Sequence, residues 1–292
     1  MKHLTTCVLS LAFAAMPAMP AENTKLPPYA IPRSEVRSLP VDAAGRHYAL
    51  FIHLPASYAT EPNRRYPVVF VTDGYWDFMK IVAVGGALSY DKYAPEYISV
   101  GMAYAGESPD YGDLRRWELS PVPFGSPIEA SGHAKEFLET IEKVFIPLVD
   151  KEYRTDPKQR VLGGASLGGL FTLYSMFTKP DLFQGYIAVT PAVAVGSGWL
   201  LKYEEQFAKA GKSVHARLYM TMGGNESPGF VTDILRMNQR LAVRKYPKLA
   251  YEFRIIDGER HAGNQLESYN RGLRFVFAPL AAEQGPATDG AL

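Results

Sequence analysis

The sequence predicts an α/β fold: a mostly parallel sheet with helices on both faces. Three observations predict it. Short apolar runs rich in β-branched residues, 66–72 and 97–104 foremost, have the character of strands buried on both sides. Segments with apolar residues at three-to-four spacing alternate with these runs. Of 292 residues, 47% are hydrophobic and 21% charged, which supplies a large core and excludes a disordered chain.

The chain starts with an address. Met1, Lys2 and His3 form a short basic start, residues 4–15 are mostly apolar, and small residues follow through Ala21. This pattern predicts a signal peptide over 1–21 and export to the periplasm or the exterior, with one catalytic domain over 22–292. The cut site stays open between the Ala12/Ala14 match and a later one at Ala21. Pro17 and Pro20 interrupt the run, and a spanning helix needs about 20 apolar residues, so stable membrane insertion is not expected. Cys7 is the one cysteine and lies in the leader, which leaves the mature chain no thiol for a disulfide, a metal site or a nucleophile. Lys plus Arg number 31 against 30 Asp plus Glu, and the leader carries one of the bases, Lys2. The balance gives no electrostatic footprint for nucleic acid.

Residues 22–34 read as an extended lead-in, and 46–54 as a strand ending at Pro55. Strands are predicted at 66–72, 97–104, 160–162, 186–189, 216–222 and 251–256. Helices are predicted at 133–153, with Pro147 bending or restarting it, and at 167–177, 230–245 and 264–277. The tail from Ala281 is small and polar.

Between the strand at 160–162 and the helix at 167–177 lies Gly163, Gly164, Ala165, Ser166, Leu167, Gly168, Gly169. G-x-S-x-G in this context is a nucleophile elbow. A serine on a sharp strand-to-helix turn needs small neighbours, because side chains at 164 and 168 would collide with the neighbouring strand and helix. The turn lifts the hydroxyl above the sheet and aims the free N–H groups of a helix start at the reacting oxygen.

A serine hydroxyl needs a base. Beyond the leader, histidines stand at 47, 53, 133, 215 and 261. In chain order nucleophile, acid, base, only His261, in the loop after the last strand, lies at the C-terminal edge of a parallel sheet. The acid should follow the strand at 216–222, which selects Glu226 after Gly223 and Gly224. Asp233, about two turns further on, is its competitor and Asp257 a third. The oxyanion hole needs two backbone N–H groups: that of Leu167, and that of Tyr75 in the loop holding Asp73, Gly74 and Trp76. Asp73, Gly74, Trp76 and Arg116, from the Arg115/Arg116 pair, are candidate substrate contacts. No cofactor and no metal are expected, since the chain has no H-E-x-x-H, C-x-x-C or dinucleotide glycine motif.

Several stretches resemble the "putative esterase" family of α/β-hydrolases: YPVVFVTDG (66–74), RRWELSP (115–121), FLETIEKVFIPLVDKEYRTDP (137–157), RVLGGASLGGLFTLYSMFTKPDLFQGYIAVTPA (160–192), then GGNE and GERH. The resemblance spans about 46–278. It implies the α/β-hydrolase fold, with the family's nucleophile on Ser166, acid on Glu226, base on His261 and second oxyanion donor on Tyr75. Relatives often carry His where this chain has Ala165, and Asp where it has Glu118, which leaves the subfamily open. The implied activity is a serine esterase acting on a small-molecule or carbohydrate ester, such as a feruloyl or acetyl carbohydrate ester or a trilactone siderophore. An acyltransferase using the same triad, or a catalytically silent binding protein of this fold, are the alternatives.

Overall fold

The predicted β-branched apolar runs are strands. In the computed structural model the described residues are 28–42, 45–106, 109–127 and 131–283. The leader expected over 1–21 lies outside them. Residues 28–31 belong to a short N-terminal unit, Met1–Ile31, and the fold below is that of the second unit, Pro32–Leu292.

The strands are β1 (Ser34–Ser38), β2 (Tyr48–His53), β3 (Tyr66–Val71), β4 (Ile98–Tyr104), β5 (Thr155–Ala165), β6 (Gly185–Val189), β7 (Ala216–Gly223) and β8 (Leu249–Ile256). They form one sheet in the order β1-β2-β4-β3-β5-β6-β7-β8. From β4 to β8 every pairing is parallel. β1 and β2 add an antiparallel edge. The central strands β3, β4 and β6 are buried at every residue, as expected of a sheet covered on both sides.

The helices are α1 (Gly74–Tyr90), α2 (Tyr111–Leu119), α3 (Ala134–Thr140), α4 (Ile146–Glu152), α5 (Leu167–Thr178), α6 (Val195–Lys209), α7 (Pro228–Arg244) and α8 (Gln265–Glu283). One apolar cluster joins Phe70, Phe137, Phe171, Leu218 and Met237 on one side of the sheet. A second joins Val69, Ile81, Ile187, Tyr269 and Leu273 on the other.

The segment 73–76, expected as a loop, is the start of α1, because Asp73 in a left-handed conformation turns the chain directly into the helix, and three further elements depart from expectation. The helix predicted at 133–153 is α3 and α4 joined by a π turn over Ile141–Phe145. Pro147 has no N–H for the ladder, and Ile146 N–H reaches back five residues to the Ile141 carbonyl, so the helix widens instead of ending. α8 runs past Phe277 to Glu283 with Pro279 inside it. α6, for which the sequence shows no start signal, opens with Gly196, Ser197 and Gly198 in left-handed conformations.

Candidate active site

β5 delivers the chain to Ser166, and α5 leaves from Leu167. Ser166 sits at φ 58°, ψ −115°, a strained setting for a residue with a side chain. The strain is held by backbone bonds. Ser166 N–H donates to the Val189 carbonyl at 3.0 Å, and its own carbonyl accepts from Ala192 N–H at 2.9 Å. The steric case for the flanking glycines is quantitative. A Cβ on Gly164 would lie 2.5 Å from the Gly168 backbone, and one on Gly168 would lie 2.2 Å from Thr72 Oγ1. Leu167 is the first residue of α5, so its N–H has no acceptor within the helix.

Two loops beyond β7 and β8 meet at the same end of the sheet. His261 Nδ1 lies 3.0 Å from Glu226 Oε2 and 3.2 Å from Oε1. The Glu226 side chain is almost wholly buried, and the Thr190 hydroxyl donates to its Oε1. The Phe230 ring packs on the imidazole at 4.5 Å between centroids. Asn264, fully buried, donates to the carbonyls of Arg260 at 2.7 Å and His261 at 3.0 Å, which fixes the loop holding the imidazole. The competing acids go elsewhere. Asp233 lies on α7 and pairs with Arg236 at 3.1 Å, and Asp257 is exposed.

Ser166 and His261 line one cleft of ≈ 350 Å³, together with Asp73, Trp76, Lys80 and Arg115. Asp73 precedes α1 at φ 52°. Its buried carboxylate takes a two-pronged bond from Arg115, Nε to Oδ1 and Nη2 to Oδ2, each 2.8 Å. Trp76 and Asp77 N–H groups turn back to the Asp73 carbonyl, at 2.8 and 2.9 Å. That leaves the two earlier N–H groups of α1, Gly74 and Tyr75, without helical acceptors by position. Gly74 packs its backbone against Gly101. The Tyr75 ring stacks on Tyr111 at 3.7 Å, and its hydroxyl donates to Asp73 Oδ1 at 3.3 Å; burial first, then the Asp73 charge, raise its pKa. On the cleft wall Asp77 is buried and receives Lys80 at 2.6 Å and the Tyr269 hydroxyl at 2.5 Å. Burial raises its pKa above the usual carboxylate value.

Of the predicted contacts, Asp73 and Trp76 line the cleft, while Gly74, packed on Gly101, and Arg116 do not. Arg116 binds Asp113 at 2.6 Å and the Ser126 carbonyl at 2.9 Å. Its neighbour Arg115 takes the cleft position, because adjacent residues on a helix point about 100° apart. Sequence reasoning also missed Lys80 and Thr190. Lys80 is one turn beyond Trp76 on α1, a spacing that could have found it once that helix start was recognised.

Comparisons with known proteins place the chain among its relatives. Residues 42–258 match the family described as "Putative esterase". The chain belongs to that family. The esterase is 27% identical over 267 residues to the ferri-bacillibactin esterase BesA of Bacillus subtilis, covering 86% of this chain and 92% of that one. It is 28% identical over 193 residues to a siderophore triacetylfusarinine C esterase of Aspergillus fumigatus, covering 64% and 65%. Among solved structures, the BES protein from Bacillus cereus superimposes with TM-score 0.79 at 25% identity, over 87% of this chain and 99% of that one. Siderophore hydrolase EstB from Aspergillus nidulans shares the fold, with TM-score 0.75 at 24% identity over 87% and 98%. The α/β-hydrolase fold and the carboxylic ester hydrolase class of this esterase follow. Among the described residues no helix is long and apolar enough to cross a membrane.

Proposed function

We propose that this esterase is an exported serine hydrolase that opens the ester bonds of a trilactone siderophore through Ser166, His261 and Glu226. The observation that carries the reading is the 3.0 Å approach of His261 Nδ1 to a buried Glu226, with the imidazole and Ser166 facing one cleft. Glu226 accepts a hydrogen bond from Nδ1–H, which fixes the tautomer and leaves Nε2 unprotonated to act as base. Ser166 Oγ adds to the ester carbonyl while His261 Nε2 takes the hydroxyl proton. The oxyanion is met by the N–H groups of Leu167 and Tyr75. The carbonyl re-forms, the bond to the alkoxy oxygen breaks, and His261 gives its proton to the departing alcohol. Water then adds to the acyl-enzyme, giving its proton to His261. Ser166 leaves with that proton, and the acid is released.

Two lines support the substrate class. Both curated relatives named above are siderophore esterases by description. The cleft also holds the indole of Trp76 between two ion pairs, Arg115 with Asp73 and Lys80 with Asp77, a wall on which an aromatic group can stack and hydrogen-bond. Export rests on the 1–21 pattern of the sequence.

The deciding experiment compares hydrolysis of a trilactone siderophore, a feruloyl ester and an acetylated sugar by the wild type and by Ser166→Ala. The expected result is a kcat/KM for the trilactone at least about tenfold above the others and lost in the variant. Equal or higher activity on the feruloyl or acetyl esters overturns the substrate assignment. Turnover retained in Ser166→Ala overturns the nucleophile.

A further inference from the structure

The C-terminal half of α1 covers a second cavity, of ≈ 260 Å³, separate from the catalytic cleft. Its polar wall is a cross-strand pair. His53 at the end of β2 stands directly opposite Ser99 on β4, so both side chains project from one face of the sheet. Its apolar wall includes Ile81, Val82 and the ring of Tyr97, and Arg33 stands at the mouth with Nε on the Leu54 carbonyl at 3.2 Å.

Three features of this cavity cost stability and have no compensation in the chain itself. The Ser99 hydroxyl is 1% exposed and has no hydrogen-bond partner; such a group forfeits its hydration for nothing. The His53 imidazole is partly desolvated, and burial together with Arg33 lowers its pKa, which keeps it a neutral donor and acceptor. Gly86 sits inside a 17-residue helix, where glycine is a poor choice, yet a Cβ there would meet nothing within 4 Å. Packing therefore does not demand glycine at this point of the cavity wall. The one acid on the wall, Glu96, is already engaged by Ser57 N–H at 3.0 Å and Arg64 at 3.1 Å. Besides Ser89 and Tyr90 on α1, the polar groups lining the space are the Arg33 cation, the Ser99 hydroxyl and the neutral His53 imidazole, set against an apolar wall.

We propose that this cavity is a second binding site, for a small monocarboxylic acid with a ring-sized apolar body. The carboxylate accepts from Arg33, Ser99 and His53, and the ring lies against Ile81, Val82 and Tyr97. The site is independent of the reading of the catalytic cleft, and its test does not use turnover as the main readout.

The test is a ¹⁹F NMR titration of the full chain with 4-fluorobenzoate and with 4-fluorobenzamide, its uncharged twin. The acid is expected to bind saturably, with the amide about tenfold weaker, the size of one charge-assisted hydrogen bond. Ser99→Val and Arg33→Ala should each weaken the acid by about fivefold or more, with ester turnover as in the wild type and Tm no lower. Ser99→Val removes a hydroxyl that has no partner, so it should fold; if it does not, the exposed Arg33 decides. No saturable binding, equal binding of the amide, or binding unchanged in both variants overturns the proposal. The last result would mean that the acid sits in the catalytic cleft.

Discussion

The Nδ1 atom of His261 lies 3.0 Å from Oε2 of Glu226, although 35 residues separate them. The two loops that carry them are laced together rather than merely adjacent. Gly224 N–H donates to the Ile256 carbonyl at 2.8 Å, Asn225 N–H to the Glu259 carbonyl at 2.8 Å, and Asn225 Nδ2 to the Gly258 carbonyl at 3.0 Å. Glu226 and His261 therefore share one hydrogen-bonded frame. A carboxylate buried at that distance stabilises an imidazolium as it forms.

Ser166→Ala should abolish turnover of short p-nitrophenyl esters, by on the order of 10⁴-fold or more in kcat. It should also abolish labelling by a fluorophosphonate probe while the circular dichroism spectrum and Tm stay those of the wild type. Labelling that persists in the variant would assign the nucleophile elsewhere.

Glu226→Gln should lower kcat by about 10³- to 10⁴-fold with little change in KM. Asp233→Asn should leave kcat within about twofold, because Asp233 is committed to Arg236. Thr190→Val removes a donor to the Glu226 carboxylate and should cost a smaller factor, about tenfold. Steady-state kinetics on the three variants check the order, and a larger loss in Asp233→Asn than in Glu226→Gln would reverse the assignment.

Arg115→Met should lower both activity and stability. It leaves the Asp73 carboxylate, 3% exposed, without its cation at the head of α1, at a cost of about 3 kcal/mol. The displaced 73–75 backbone should also lower kcat by about 10- to 100-fold. Arg116→Ala, whose partner Asp113 is exposed, should change neither by more than about 1 kcal/mol. Paired urea melts and kinetics check this, and equal effects of the two substitutions would contradict the geometry.

Glu118 gives the protein a pH dependence of stability. It is buried, accepts from the hydroxyls of Tyr48 and Tyr104, and desolvation raises its pKa from 4.5 to about 8. The folded state thus holds this proton more tightly than the unfolded chain. Its contribution is full below pH 4.5 and is lost as pH rises through about 8, a change of a few kcal/mol. Urea midpoints should fall between pH 5 and 8 in the wild type and fall less in Glu118→Gln. Parallel pH slopes in the two proteins would place the titration on another group.

The strand-turn-helix at Ser166, the parallel pairing of the inner strands and the meeting of the loops that carry Glu226 and His261 were legible in the sequence. Each is fixed by short-range sterics or chain order: small residues where backbones meet at Gly164 and Gly168, β-branched runs where both faces are buried. The docking of helices was not legible. Neighbouring arginines 115 and 116 are chemically identical, and only the rotation of α2 against the sheet sends one to Asp73 and the other to Asp113. The Thr190 hydroxyl reaches Glu226, and the pair His53 and Ser99 bounds a cavity under α1, because strands distant in sequence lie side by side. Local covalent geometry determines where the chain can turn. Which polar groups then share a space is decided only when the sheet and its helices pack.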